Sequence, residues 1–162
     1  MGYGVPAGMG AAFARPDDEI WVIAGDGGFQ MSIPELMTIA QERLPVKIAV
    51  MRNGYLGMVR QWQELIHGKR YSEVDISSPD LVKLAEAYGI LGLRAERKEH
   101  VAEIIEEARS HPGPTLMDFV VEQEVNVYPM VQPGKALHEM MRRPLAPQSG
   151  GLANGQQLKA GG

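Results

Sequence analysis

The sequence predicts an α/β fold, a doubly wound and mostly parallel sheet with helices on both faces. Apolar, β-prone segments alternate with amphipathic segments along most of the chain, which favours this class. Two of the predicted strands, 19–24 and 46–51, are joined through a helix, so parallel pairing and a right-handed connection follow. Each of these strands is followed by glycines and one oxygen-bearing side chain, Asp26 in the first case and Asn53 in the second.

The first elements are predicted from residue size and from turn signals. Residues 4–14 are mostly small and apolar, which predicts a close-packed helix after a glycine-rich turn. The Arg-Pro-Asp-Asp run at 15–18 ends this helix. The strand 19–24 then leads into a Gly-Asp-Gly-Gly turn at 25–28.

A capping box predicts the start of the next helix. Ser32 is followed three residues later by Glu35, the spacing at which each side chain bonds to the backbone of the other. We expect this helix to run to about Glu42. Its buried face is predicted to carry Leu36, Ile39 and Ala40.

Beyond Asn53 the alternation of helices and strands continues. Helices are predicted for 57–66, for the segment opened by Ser78-Pro79-Asp80 and for 100–110, strands for 91–95 and 115–121, and a loop for 68–77. The last helix is expected to bury Val101, Ile104, Ile105 and Ala108. From about Arg142 the chain is rich in Pro, Gln, Gly and Ser, so we predict one domain at 1–141 and a disordered tail at 142–162.

Composition excludes several classes of protein. The 44% apolar and 22% charged residues are ordinary for a soluble globular domain. A net charge of −4 gives no footprint for nucleic acid, and no apolar run approaches the length of a membrane span. The absence of cysteine excludes disulfides and thiolate metal sites and fits a reducing, cytoplasmic compartment.

The two strand ends predict a metal and phosphate site. In an open parallel sheet, ligands bind at the C-terminal edge of the strands, where Asp26 and Asn53 are expected to meet. Carboxylate and carboxamide oxygens are hard ligands that suit Mg²⁺, and neighbouring glycines let backbone N–H groups approach phosphates. The alternative is that Asp26 caps its turn and that Asn53 adopts a left-handed conformation.

Several motifs together resemble one family. Gly-Asp-Gly at 25–27 with Asn53 is the pattern of thiamine diphosphate enzymes, and Gly-Met-Val-Arg-Gln-Trp-Gln at 57–63 narrows it. With Asn-Val-Tyr-Pro-Met-Val at 126–131, the chain resembles the C-terminal domain of the large catalytic subunit of acetohydroxyacid synthase (acetolactate synthase). The resemblance runs from Met1 to about Met141. In that family the first residues are interior, so the chain is expected to be a fragment or a truncated gene product.

The resemblance implies a thiamine diphosphate-binding fold and a set of cofactor residues. The implied Mg²⁺ ligands are Asp26, Asn53 and the backbone carbonyl of Tyr55. The residues expected to contact the cofactor are Met1, Gly2, Gly25, Asp26, Gly27, Gly28, Asn53, Tyr55, Gly57 and Met58. At position 52 the chain departs from the family, which has two consecutive Asn residues where this sequence has Arg52-Asn53.

The resemblance also implies an activity and partners. The family condenses pyruvate with pyruvate or 2-ketobutyrate in branched-chain amino acid synthesis, and Met58 and Trp62 are expected to line the substrate pocket, with ordinary core packing as the alternative. No residue of this chain matches the activating glutamate, which lies on the pyrimidine-binding domain of a partner subunit. The resemblance therefore implies a homo-oligomer, FAD bound through a domain absent here, possible contact with a small regulatory subunit, and no turnover by the isolated chain.

Three other functions are compatible with the sequence. A sister thiamine diphosphate enzyme (pyruvate oxidase, glyoxylate carboligase or sulfoacetaldehyde acetyltransferase) shares the GDG and Asn pattern. A non-catalytic cofactor-binding or assembly module is the alternative from another class. A nucleotide-binding module is the weakest alternative. It needs a glycine-rich loop with a Lys or a ribose-binding acid, and the sequence has neither.

Overall fold

The computed structural model describes residues 1–144. Within them lie four strands and six α-helices. The strands are β1 (Trp21–Gly25), β2 (Lys47–Arg52), β3 (Leu91–Ala95) and β4 (Thr115–Val120). The helices are α1 (Gly4–Ala14), α2 (Asp26–Gln30), α3 (Glu35–Gln41), α4 (Gly57–Leu65), α5 (Leu81–Ala87) and α6 (Val101–Ser110).

The four strands form one parallel sheet in the order β1-β2-β4-β3. One face packs through Val22, Ile48 and Leu116 against apolar residues of α1, α3 and α5. The other face packs through Met117 and its neighbours against Ile104 and Ala108 of α6. Helices therefore cover both faces of a parallel sheet, and the predicted fold class is confirmed.

Most of the predicted elements are present within one or two residues of their expected bounds. The strand 91–95 and the helix 4–14 have the predicted limits. Asp80 caps α5 as its position suggests, because its carboxylate accepts hydrogen bonds from the backbone N–H groups of Val82 and Lys83. No helix within residues 1–144 combines the length and the apolar character that a membrane crossing requires.

Two predictions around the GDG motif are wrong. Residues 26–30 form the short helix α2 rather than only a turn, with Asp26 as its first residue. The capping box does not form: the Ser32 hydroxyl donates to the carbonyl of Phe29 at 3.3 Å, and α3 begins at Glu35. The carbonyl near the end of α2 accepts the hydrogen bond of the Ser32 hydroxyl, so the hydroxyl does not cap α3.

The chain divides into two compact units, Met1–Asn126 and Val127–Gly162. The second unit is described as far as residue 144, and in it Met130 and Met141 form an antiparallel bridge with N···O distances of 2.9 and 2.7 Å. The domain bounds at 1–141 stay a prediction. Most of the segment predicted to be disordered, 145–162, lies outside the described residues.

The approach of α1 to the sheet gives a testable prediction about stability. A Cβ atom on Gly8 would lie 2.2 Å from Cγ2 of the buried Val22, whereas a Cβ on Gly10 meets nothing within 4 Å. Gly8→Ala is therefore expected to lower the free energy of unfolding by about 1–3 kcal/mol, the usual cost of overpacking. Gly10→Ala is the matched control in the same helix and is expected to raise it by about 0.5–1 kcal/mol. Urea unfolding of both variants measures the difference, and equal changes would contradict the close approach.

Candidate functional site

A cavity of about 440 Å³ lies at the C-terminal edge of β1 and β2. All ten residues that the sequence analysis expects to contact the cofactor line it: Met1, Gly2, Gly25, Asp26, Gly27, Gly28, Asn53, Tyr55, Gly57 and Met58. Other lining residues were not anticipated, among them Ser32, Leu56 and Val121. The parallel sheet brings these segments together because the ends of neighbouring strands share one edge.

The Asp26 carboxylate is held at this edge by three donors. Its side chain is only 1% exposed. Oδ1 accepts a hydrogen bond from the Gly27 N–H at 3.0 Å, and Oδ2 accepts from the Gly54 N–H at 2.9 Å and from the Ser78 hydroxyl at 3.4 Å. An ionised carboxylate offers about four lone-pair positions, so these donors leave capacity for a metal ion.

Ser78 is a contact that the sequence does not reveal. Its hydroxyl donates to Asp26 and accepts from Nε2 of Gln30 at 3.2 Å. The sequence predicts only that Ser78 opens a helix, and Ser78 is separated from Asp26 by 52 residues. Only the packing of the segment before α5 against the GDG motif brings them together.

Asn53 lines the same cavity. Its Oδ1 accepts a hydrogen bond from the Tyr55 N–H at 3.1 Å, which fixes the orientation of the side chain. The left-handed backbone at this turn belongs to Gly54, with φ of +72°, and not to Asn53. Asn53 is therefore not required here for an unusual backbone conformation, and that alternative is excluded.

The backbone carbonyl of Tyr55 is available as a third oxygen. Tyr55 faces Asp75 in an antiparallel bridge whose hydrogen bonds use other atoms, from Ile76 N to Gly54 O at 2.9 Å and from Leu56 N to Val74 O at 2.8 Å. Neither of these two bonds uses the Tyr55 carbonyl. Asp26, Asn53 and Tyr55 thus line one cavity. A carboxylate, an amide oxygen and a backbone carbonyl are hard donors of the kind that Mg²⁺ takes.

Gly27 of the motif lies close to side chains of neighbouring segments. A Cβ on Gly27 would lie 3.0 Å from side-chain atoms of both Ile76 and Leu56 and 3.5 Å from Met1. A larger residue at this position would fill space beside the cavity. Packing therefore favours glycine at position 27, and the approach of backbone N–H groups of the motif to a phosphate stays a prediction.

Met58 and Trp62 lie on the exposed side of α4. Met58 is 54% exposed and lines the cavity, whereas Trp62 is 41% exposed and is not among the lining residues. The buried positions of this helix are Arg60 and Gln61. Core packing is therefore excluded for Met58 and Trp62, and the structure places Trp62 about one helical turn from the cavity wall.

Arg60 is a buried charge that the sequence analysis did not single out. Its side chain is 4% exposed and pairs with Glu64 at 3.0 Å and Glu124 at 3.2 Å. The guanidinium lies 5.3 Å from the ring centre of Tyr55 and 5.0 Å from that of Tyr71. Arg60 thereby holds the loop that follows α4 against the segment that carries the Tyr55 carbonyl.

Tyr55 is fixed through its side chain as well. A hydrogen bond with the Asp75 side chain raises the pKa of the Tyr55 phenol, and the charge of Asp75 acts in the same direction.

In the described part of the chain no three His, Cys, Asp or Glu side chains cluster as a metal site would require. The oxygen donors on the cavity include only one carboxylate, Asp26, so their chemistry differs from that of such clusters.

Comparisons with known proteins identify the family of this chain. Residues 1–119 match the family described as "Thiamine pyrophosphate enzyme, C-terminal TPP binding domain". The chain is 49% identical over 146 residues to an acetolactate synthase of Mycobacterium bovis, covering 86% of this chain and 24% of that protein. It is 46% identical over 143 residues to the acetolactate synthase large subunit of Pyropia yezoensis, covering 87% and 24%.

A solved structure shares the fold. The thiamine diphosphate-dependent 4-hydroxybenzoylformate decarboxylase of Rhodococcus jostii RHA1 superposes with a TM-score of 0.71 at 30% identity, covering 77% of this chain and 24% of that one. The chain thus spans 24% of the length of each of these three proteins. The resemblance to the acetohydroxyacid synthase large subunit is confirmed, and with it the thiamine diphosphate-binding fold. The chain belongs to the family of C-terminal TPP-binding domains of thiamine pyrophosphate enzymes.

Proposed function

We propose that this chain supplies the Mg²⁺-diphosphate half of the active site of an acetolactate synthase. The observation that carries the proposal is the meeting of Asp26, Asn53 and Tyr55 on one cavity at the sheet edge. The reaction is the condensation of pyruvate with a second pyruvate or with 2-ketobutyrate. The identity of 49% with an acetolactate synthase supports this choice of reaction.

The three oxygen donors would hold Mg²⁺ with a single formal negative charge. Only Asp26 is ionised, because the other two ligands are an amide oxygen and a backbone carbonyl. A divalent cation held in this way keeps a net positive charge for the diphosphate, the usual arrangement in phosphate-binding Mg²⁺ sites. The backbone N–H groups of Gly25, Gly28 and Gly57 would complete the diphosphate contacts. Gly27 would lie beside them while its own N–H holds Asp26, and Met1 and Gly2 would contact the pyrimidine ring.

The chemistry of the carbon–carbon bond belongs to the cofactor. Bound thiamine diphosphate supplies the carbon nucleophile and the electron sink for decarboxylation of a 2-keto acid. This chain orients that cofactor, and Met58 and Trp62 would contact the acceptor keto acid. No residue on this chain is proposed to transfer the activating proton.

The remaining parts of the active site are proposed to lie on other domains. A glutamate of the pyrimidine-binding domain of a second subunit would complete the site, which makes the working enzyme a homo-oligomer. FAD would bind through a further domain, and a small regulatory subunit would be an additional partner. We place the enzyme in the cytoplasm.

The activity is tested in a chimaera with a relative. In the Mycobacterium bovis acetolactate synthase, the segment aligned with this chain is replaced by the chain, and we expect acetolactate from pyruvate in the presence of Mg²⁺ and thiamine diphosphate. The isolated chain is expected to form none, since it lacks the activating glutamate. Turnover of pyruvate by the isolated chain would contradict the division of the site between two domains.

The same assay tests a second candidate. The likeness to a thiamine diphosphate-dependent decarboxylase favours release of an aldehyde without condensation. In that case the chimaera would release acetaldehyde from pyruvate and little acetolactate. The ratio of the two products therefore decides between the two reactions.

A further inference from the structure

Arg52 is the last residue of β2 and directly precedes Asn53. Its backbone carbonyl accepts a hydrogen bond from the Val121 N–H at 3.1 Å. Its side chain forks onto the Asp118 carboxylate, with Nε 2.8 Å from Oδ1 and Nη2 3.1 Å from Oδ2. Backbone and side chain thus both tie the end of β2 to β4 and the residue that follows it.

The carboxylate that receives this fork is itself fixed. Asp118 is 1% exposed and also accepts from Arg94 Nε at 2.8 Å. Arg94 lies directly opposite Asp118 in the pairing of β3 with β4, and it also bonds to Asp80 at the start of α5. The two arginines and two aspartates carry no net charge, so the buried carboxylate is compensated and held from both sides.

Asn53 lies between two anchored residues. The residue before it, Arg52, is bound to Asp118, and the residue after it, Gly54, donates its N–H to Asp26 at 2.9 Å. Both chain neighbours of Asn53 are therefore held by hydrogen bonds, Arg52 to a residue of β4 and Gly54 to the residue that follows β1. This fixes the backbone position of Asn53, a residue that lines the cavity.

We propose that Arg52 is a positioning residue for the magnesium site, which it serves by holding Asn53 through the fork onto Asp118. Arg52 is not among the residues that line the cavity, so it acts through Asn53 and not on the ion directly. The inference rests on the proposed function, which supplies the metal and its diphosphate. It also gives a structural reason for arginine at the position where the family has a first Asn.

The test compares two arginines that bind the same carboxylate. Arg52→Lys keeps the positive charge and loses the fork beside Asn53, whereas Arg94→Lys makes the same change on β3, which does not neighbour β2. Mg²⁺ is titrated calorimetrically into the 162-residue chain with saturating thiamine diphosphate. We expect Arg52→Lys to weaken Mg²⁺ binding by about 10- to 100-fold, the loss common for substitutions of residues that hold a metal ligand in place without contacting the ion. Arg94→Lys is expected to change it by less than about twofold, since Arg94 itself does not adjoin a proposed ligand in the chain.

Thermal melting separates this role from a purely structural one. Each variant loses charge-assisted bonds to Asp118. Because Arg94→Lys also loses the bond to Asp80, its melting temperature is expected to fall at least as far as that of Arg52→Lys, although its Mg²⁺ affinity changes less. Arg52→Gln is a second variant with the same expected loss of affinity. Equal Mg²⁺ affinities for Arg52→Lys and Arg94→Lys would overturn the inference.

A third arm distinguishes failure of this inference from failure of the proposed function. If the unaltered chain binds Mg²⁺ with thiamine diphosphate and Asp26→Ala does not, the metal site stands, and the two arginine variants alone decide the role of Arg52. If the unaltered chain binds no Mg²⁺ under these conditions, the proposed function is overturned and this inference with it.

Discussion

Replacing Asp26 by alanine is expected to abolish the Mg²⁺-dependent binding of thiamine diphosphate. Asp26 is the only charged ligand in the proposed set, and without it the metal would be held by two neutral oxygens and the diphosphate. The substitution also removes the acceptor of the Gly54 N–H and of the Ser78 hydroxyl. Both the ligand and the arrangement of the turn that carries Asn53 are therefore lost.

Asp26→Asn separates the charge from the shape. It keeps the size of the side chain and one acceptor oxygen, and we expect it to weaken Mg²⁺ binding by about 100-fold or more, beyond the loss common for residues behind the ligands. Asp17→Asn removes the same charge at an exposed position outside the cavity and is expected to leave the affinity unchanged. Calorimetric titration measures all three variants. Unchanged cofactor affinity in Asp26→Ala would reduce Asp26 to a residue that only caps its turn.

The strand ends were predictable because they follow from topology. A crossover through a helix makes β1 and β2 parallel, and parallel strands end at one edge, so Asp26 and Asn53 had to be neighbours once the strands were identified. The local periodicity of the two strands was sufficient for this step. The same topology brought Gly57 and Met58 to the cavity, since α4 begins four residues after Asn53.

The capping box failed for a local reason. The spacing of Ser32 and Glu35 is right for a box, but the Ser32 hydroxyl has a nearer acceptor in the Phe29 carbonyl at the end of α2. The sequence gives little sign of α2, a helix of five residues with two glycines. Without that helix in view, the competing acceptor could not be anticipated.

The buried charges were not predictable from hydrophobic pattern. Asp118 lies within a strand that reads as apolar, and charged residues are rarely buried unless they are paired. Arg52 and Arg94 meet Asp118 because of the register in which β2, β4 and β3 pair. That register cannot be predicted from the sequence of any one strand. Arg60 is a similar case, because its compensating contacts come from Glu64 on its own helix and from Glu124, 64 residues further along.

Trp62→Leu is expected to lower the ratio of acetohydroxybutyrate to acetolactate more than it lowers the total consumption of pyruvate. Trp62 lies one turn beyond Met58 on the exposed side of α4, and Met58 lines the cavity. An apolar ring at that position would favour 2-ketobutyrate through its additional methylene. Loss of one such contact is worth roughly 1–3 kcal/mol, or about a 10- to 200-fold change in selectivity.

The chimaera supplied with both pyruvate and 2-ketobutyrate measures this ratio. Trp21→Leu is the matched control, because Trp21 is the other tryptophan of the chain and does not line the cavity. Since selectivity is a difference between two transition-state affinities, a variant that only destabilises the fold lowers both products together. The control is therefore expected to leave the ratio unchanged even where the yield falls. Equal losses of both products in Trp62→Leu would show that Trp62 makes no contact with the acceptor, and the acceptor pocket would then have to be formed by Met58 and by residues of the other domains.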